Sequence, residues 1–398
     1  MRFENGPGIG QTSANHDMRI YPFTIAIGDE EITDLEHRLA QTRWPQMRDA
    51  GWEMGMDGQF LRELARYWLH DFDWRRVESS LNGIPQFQAV TGSGTIHFAH
   101  VKSHVPGAMP IVLTHGWPGH FAEFRKTAEI LATPPRRGRG ADEAFDVVIP
   151  SLPGYGFSEL PTRAGHDVFA IADQWSELMS ALGYPRFMAH GGDIGASVST
   201  ALGLRHAERL IGIHLNYIPG SYQPHITSPG ELGEDEKEFL RYRAAWLEAE
   251  GGYSHVQSTK PDTLGPGLND SPMGLAAWII DKFRSWSDCD GNVLARFSYD
   301  ELLTTACLYW FTRSMPSAIR LYWEIRKAPL RFSAGERVGL PVAVAHFPRE
   351  IPVPPRRYVE RGYNVTRWTE MERGGHFAAL EEPEALAGDI RSFCRGLR

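Results

Sequence analysis

Gly191-Gly192-Asp193-Ile194-Gly195 decides how this chain is read. The apolar stretch Arg186-Phe-Met-Ala-His190 precedes it, and a run of small residues with helical character, Ala196 to Leu204, follows. A strand, a tight turn and a helix, with small residues flanking a central reactive side chain, make the pattern of a nucleophile elbow. The glycines answer two needs: the turn is strained, and the helix packs close to the strand. Serine usually stands at the centre of such an elbow; here it is Asp193. A carboxylate suits attack on a saturated carbon, giving an enzyme ester that water then cleaves.

Other parts of the same machinery follow in order. His115-Gly-Trp117-Pro118-Gly119 ends the apolar strand Pro110 to Thr114. In an α/β-hydrolase fold this loop supplies one oxyanion-hole amide and the residue after the nucleophile supplies the other. Those donors would be the backbone N–H groups of Trp117 and Ile194. His115 itself is expected to make a structural hydrogen bond, and His190 to be an interior histidine. Near the C-terminus stands Gly374-Gly-His376-Phe377. The chain order of such hydrolases is nucleophile, acid, histidine. Pro341 to Ala345 reads as a fully buried parallel strand, and the loop after it, His346 to Pro352, holds one carboxylate, Glu350. Glu350 would fix the His376 tautomer and stabilise the imidazolium. Glu360 and Glu370 are rivals farther from that strand end.

With these motifs in place, the chain resembles the microsomal-type epoxide hydrolases, the group that includes juvenile hormone epoxide hydrolases. The likeness runs from about Tyr21 to the end. It includes Tyr21-Pro-Phe-Thr-Ile, Glu36 to Pro45, His115 to Gly119, Gly191 to Gly195, Phe347-Pro-Arg-Glu350, Gly252-Tyr253-Ser-His, and Leu268 to Trp278. One departure stands out: an aromatic residue often follows the nucleophile in that group, and here it is Ile194. The resemblance implies two cap tyrosines that hydrogen-bond the epoxide oxygen and protonate it as the ring opens. The matching positions are Tyr253 and Tyr322, with Tyr299 and Tyr309 as nearby alternatives. A strongly basic alkoxide needs an acid still protonated at neutral pH, and tyrosine meets that need. The substrate pocket is expected beside Trp117, Pro118 and Phe157.

The expected reaction turns an epoxide and water into a vicinal diol, with no metal or organic cofactor. A haloalkane dehalogenase would use the same aspartyl ester, with Trp117 helping to hold halide, but a halide leaves without protonation. A catalytically silent receptor on the same fold is the other alternative, and retention of every expected catalytic residue type argues against it.

The fold class expected is α/β, an α/β-hydrolase fold with a mostly parallel central sheet, helices on both faces, a helical cap and an N-terminal wrapping segment. Residues 1–20 would be a flexible N-terminus and 21–105 an N-terminal epoxide-hydrolase region with the first antiparallel strands. Residues 106–220 would form the first part of the core, where strands alternate with helices. Strand patterns disappear over 221–330, the expected helical cap, and return over 331–398. The 398 residues carry a formal charge of −8, and the densest basic stretch, Pro134 to Gly140, reads as an exposed loop. Nucleic-acid binding is not expected. Cys289, Cys307 and Cys394 form no disulfide framework and no zinc pattern. Residues 1–18 lack an apolar run, so neither a signal peptide nor a membrane anchor is expected. Arginine outnumbers lysine, a bias associated with GC-rich bacterial genomes. These features point to a soluble bacterial cytoplasmic protein whose partners are a small-molecule epoxide and, as an allowed assembly, a second copy in a homodimer.

Overall fold

A computed structural model describes residues 18–46, 50–134 and 143–397. The basic stretch after Pro134 and residues 1–17 of the expected flexible N-terminus lie outside the described residues.

The N-terminal region opens on strand β1 (Arg19–Phe23), followed by helices α1 (Asp29–Ala40), α2 (Gly58–His70) and α3 (Trp74–Leu81). Asp57 and Asp73 cap α2 and α3 by accepting the Phe60 and Arg76 amides, which satisfies donors that a helix start leaves orphaned. Strands β2 (Gln86–Thr91) and β3 (Gly94–Val101) form a hairpin, and β1 pairs with β2. Arg19 and Ile20, expected in the flexible terminus, belong to β1. Its Arg-Ile-Tyr-Pro-Phe pattern carries no long apolar run, and it is held as an edge strand by pairing rather than by burial.

The core alternates strictly from there. Strand β4 (Met109–Thr114) leads to α4 (Arg125–Ala132), β5 (Phe145–Pro150) to α5 (Val168–Ala181), and β6 (Phe187–Gly191) to α6 (Asp193–Arg205), before β7 (Leu210–Leu215). Six helices then follow without a strand: α7 (Glu234–Glu250), α8 (Gly252–Thr259), α9 (Pro261–Asp270), α10 (Pro272–Trp286), α11 (Tyr299–Phe311) and α12 (Met315–Lys327). The chain returns through β8 (Val338–His346), α13 (Arg356–Glu360), β9 (Tyr363–Glu370), α14 (Ala378–Glu381) and α15 (Pro383–Arg395).

All nine strands form one sheet in the order β1-β2-β3-β5-β4-β6-β7-β8-β9. The first three are antiparallel, and β4 to β9 run parallel to one another. The parallel strands are nearly continuous apolar runs, as sheets covered on both faces require: Ile111, Val112, Val147, Val148, Met188, Ala189, Val342 and Val344 are all fully buried. The winding reverses between β4 and β6, because β5 lies on one side of β4 and β6 on the other. Ligands bind at such switch points, outside the carboxyl ends of the strands. The elbow follows β6 and the His115–Gly119 loop follows β4, so both stand there.

Candidate active site

Asp193 sits in the left-handed region, with φ +48°. A non-glycine residue there stores strain, and the result is a carboxylate raised above the sheet at the head of α6. The neighbouring backbone must come very close to permit this. A Cβ on Gly195 would fall 1.9 Å from the Thr114 carbonyl oxygen, and one on Gly116 would fall 2.1 Å from Asp193 Oδ1. The Trp117 amide donates to Asp193 Oδ1 at 2.8 Å. Ile194 occupies the second position of α6, where helix geometry leaves its amide without an intrahelical acceptor. His115 is structural: its Nε2 accepts the Leu152 amide at 3.1 Å and its Nδ1 faces the Gly116 carbonyl at 3.0 Å. Burial brings its pKa down to about 4.

His376 reaches the same carboxylate from the loop after β9. Its Nε2 is 3.5 Å from Asp193 Oδ2 and its Nδ1 is 2.5 Å from Glu350 Oε1. Glu350 follows β8, its side chain is fully buried, and Oε1 also accepts the Ile351 amide. Burial alone would lower the His376 pKa. The Glu350 charge and the contacts with both carboxylates outweigh it and hold the imidazole well above its usual range. Glu360 is paired with Arg356, and Glu370 with His346 and Trp368, so neither rival meets His376.

Tyr253 on α8 and Tyr322 on α12 come down onto this site. The Trp117 ring stacks on Tyr253, with centroids 5.4 Å apart, and meets Tyr322 edge-on at 5.9 Å. Both phenols interact with each other and feel the Asp193 charge. Burial, reinforced by that charge, raises both pKa values well above 10. The alternatives are engaged elsewhere. Tyr309 donates its hydroxyl to the Gly119 carbonyl at 2.8 Å, and Tyr299 packs on Phe60 and Tyr67.

Two cavities meet at Asp193. One of about 360 Å³ lies under the cap and is lined by Asp193, Ile194, Tyr217, Tyr253 and Tyr322 among others. The second, of about 30 Å³, is lined by Gly116, Glu123, Asp193, Asn216 and His376. That volume suffices for a water molecule. Among the described residues, no three His, Cys, Asp or Glu side chains are placed to hold a metal ion. The expected pocket residues fare unequally. Trp117 stands at the site, and Pro118 is buried beside it but lines neither cavity. Phe157 is not part of the site: its ring packs against Phe23 of β1 and His97, at 5.1 and 5.4 Å.

This geometry has counterparts in known proteins. Residues 20–124 match the epoxide hydrolase N terminus family, and residues 109–250 match the alpha/beta hydrolase fold family. The sequence is 42% identical to a Stigmatella aurantiaca protein provisionally named an epoxide hydrolase, across 95% of this chain and 86% of that protein. It is 38% identical to epoxide hydrolase 1 of Sus scrofa, covering 98% and 91%. The chain belongs to the epoxide hydrolase family. The solved Aspergillus niger epoxide hydrolase superposes with a TM-score of 0.83 at 31% identity, over 96% of this chain and 97% of that one. The α/β-hydrolase fold follows with it.

Some residues of this family member's site were not singled out by sequence. Burial raises the Glu123 pKa to about 8, against the His120 amide and His376, which pull it down. Trp286 meets His376 edge-on at 5.0 Å, and Tyr217 does so at 5.8 Å. Glu123 closes a capping box with His120, four residues after Gly119 of the His115–Gly119 loop, and that local pattern is the one signal that could have found it. His190 meets His214 at 3.0 Å, which in turn meets Asp389 at 3.1 Å; this is a buried chain behind the elbow.

Proposed function

We propose that this epoxide hydrolase converts an epoxide and water to a vicinal diol through an ester on Asp193. The observation that carries this reading is the position of the Asp193 carboxylate between two cavities, one large enough for a substrate and one sized for water. In the first stage the carboxylate attacks a ring carbon in line with the breaking C–O bond. Tyr253 and Tyr322, protonated at neutral pH, hydrogen-bond the departing oxygen and supply its proton. In the second stage His376, oriented by Glu350, takes a proton from water in the small chamber. The resulting hydroxide attacks the ester carbonyl. The Trp117 and Ile194 amides hold the oxyanion, an interaction worth about 3 kcal/mol per donor. Collapse expels the second diol oxygen, which takes the proton of the newly formed Asp193 carboxyl, and the proton held by His376 returns to the phenolate left by the first stage, so the diol is released and the Asp193 carboxylate restored.

A dehalogenase reading fits less well. Trp117 Nε1 points to the Met315 sulfur at 3.4 Å, away from any halide role, and two phenolic acids would have no leaving group to protonate. A silent receptor would not need His376 held between two carboxylates.

We place the enzyme in solution in a reducing bacterial cytoplasm. In support, Cys289, Cys307 and Cys394 form no disulfide and all three are buried. No helix among the described residues is long and apolar enough to cross a membrane. A homodimer is the one self-assembly this reading admits, and light scattering on the purified chain measures it. We likewise divide the chain at about residues 105, 220 and 330 into lead-in, core, cap and returning core.

The test is a single turnover with excess enzyme in oxygen-18 water. Label is expected in the Asp193 side chain, while the first-turnover diol takes its oxygen from the carboxylate. Label passing straight into that diol would mean direct attack by water and would overturn the ester.

A further inference from the structure

The wall of the large cavity carries three arginines, Arg243, Arg326 and Arg331, and apart from Asp193 it carries no Asp or Glu. The chain as a whole is acidic, at −8, so this local excess runs against the overall balance. None of the three arginines is within salt-bridging distance of a described carboxylate. Arg326 and Arg331 are exposed at the rim, while Arg243 of α7 is half-buried.

Arg243 is the one nearest the chemistry. Its Nη2 donates to the Gly220 carbonyl at 2.5 Å, which anchors the guanidinium. Its five N–H groups meet one acceptor among the described residues, which leaves a planar fork of the shape that matches a carboxylate. Beside it is Tyr217, whose hydroxyl stands close to Gly220 and makes no hydrogen bond among the described residues. The Tyr217 phenol feels the charges of Asp193, Glu350 and Arg243. An idle phenol and an idle guanidinium thus meet at Gly220 on the cavity wall, and the same phenol ring packs edge-on against His376.

Resting on the reading above, we infer that the preferred substrates are epoxides bearing a carboxylate several bonds from the oxirane. Arg243 and Tyr217 receive the carboxylate while the ring lies between Asp193 and the two phenols. Arg326 and Arg331 raise the local concentration of such anions at the mouth, as a cleft of one sign does.

A matched pair tests this: 4-(glycidyloxy)phenylacetate and its methyl ester, which differ only in the charge. Wild-type kcat/KM is expected to be at least about 10-fold higher for the acid at low salt, in the range of hydrogen bonds to a charged group. That preference should shrink as salt screens the arginines, while the ester is indifferent to salt. In Arg243→Gln the acid-to-ester ratio should fall about 10- to 100-fold, and in Tyr217→Phe it should fall by less. The salt series needs no variant, so it decides the matter even if Arg243→Gln does not fold. An ester turned over as fast as the acid, with no salt dependence, overturns the inference and leaves the ester mechanism standing. Failure of the mechanism looks different: neither compound would leave a covalent adduct on Asp193 in the His376→Gln protein.

Discussion

Nε2 of His376 stands 3.5 Å from Oδ2 of Asp193, longer than a strong hydrogen bond but close enough for each charge to govern the other. In the resting enzyme the Asp193 charge helps to keep a proton on the imidazole. In the proposed route, ester formation on Asp193 abolishes that charge. The imidazole then becomes easier to deprotonate at the moment it is needed as a base. In that route the nucleophile controls the timing of its own release.

The sign of the pH dependence follows. Cleavage of the ester needs neutral His376, so its rate should rise as pH rises through the imidazole pKa of the ester state. Alkylation needs only an ionised Asp193 and protonated phenols, so it should be flat over the same range. Lowering the pH is expected to increase the steady-state fraction of ester, measured by rapid acid quench and intact-protein mass spectrometry. An ester fraction that grows with rising pH would contradict the assignment.

His376→Gln should still form the ester and then stall, with cleavage slowed by about 1000-fold or more, within the span of general base catalysis. Glu350→Gln keeps the base but loses the charge that orients it and should slow cleavage less, by about 10- to 100-fold. A mass increase equal to that of the epoxide reports the trapped species. A His376→Gln protein that folds and binds epoxide yet gains no mass would remove His376 from the second stage.

Tyr253→Phe and Tyr322→Phe should each reduce alkylation by about 10- to 1000-fold, and the double variant should nearly stop it. Cleavage of preformed ester should change little, because no alkoxide leaves an epoxide carbon in that step. The stacking of Trp117 on Tyr253 offers a stopped-flow fluorescence signal for separating the phases. Wild-type alkylation in both single variants would place the acids elsewhere.

Glu123 supplies a stability signature. Its pKa is 4.5 as an ordinary glutamate and about 8 in the fold. A group raised in this way favours the folded state fully below about pH 4.5, and that contribution is lost as pH climbs to about 8. Glu123→Gln, neutral at every pH, removes the slope. The Tm of the variant minus that of the wild type should therefore increase between pH 5 and 8 and then level off. Parallel Tm curves across that range would show the carboxyl ionised in the fold.

What the sequence disclosed depended on how local the cause was. Asp193 and His376 were legible because the glycines that make their turns sit beside them in the chain. Glu350 was legible because a buried strand ends just before it. Tyr253 and Tyr322 came only from family resemblance, since nothing local brings α8 and α12 onto the β6 turn. Glu123 acquires its setting where the loop after β9 and α14 pack against the β4 turn, and Tyr217 and Arg243 acquire theirs from the closure of cap on core. The misplacement of Phe157 has a traceable origin. Its ring is held by Phe23 of β1, a strand whose mixed polarity hides it from pattern reading.

Under the proposed ester route, the two cavities on either side of Asp193 would fix the stereochemistry of the product. In that route, substrate would meet the carboxylate from the cap side and water from the small chamber, where Glu123, Asn216 and His376 form the wall. Water thus reaches the acyl carbon and never the carbon that was once part of the ring. Inversion occurs once, at alkylation, and the later cleavage leaves that centre untouched. Handedness and regiochemistry of the diol are decided entirely by how the epoxide lies against Tyr253 and Tyr322, so a change to the water chamber alters the speed of the enzyme without altering which diol it makes.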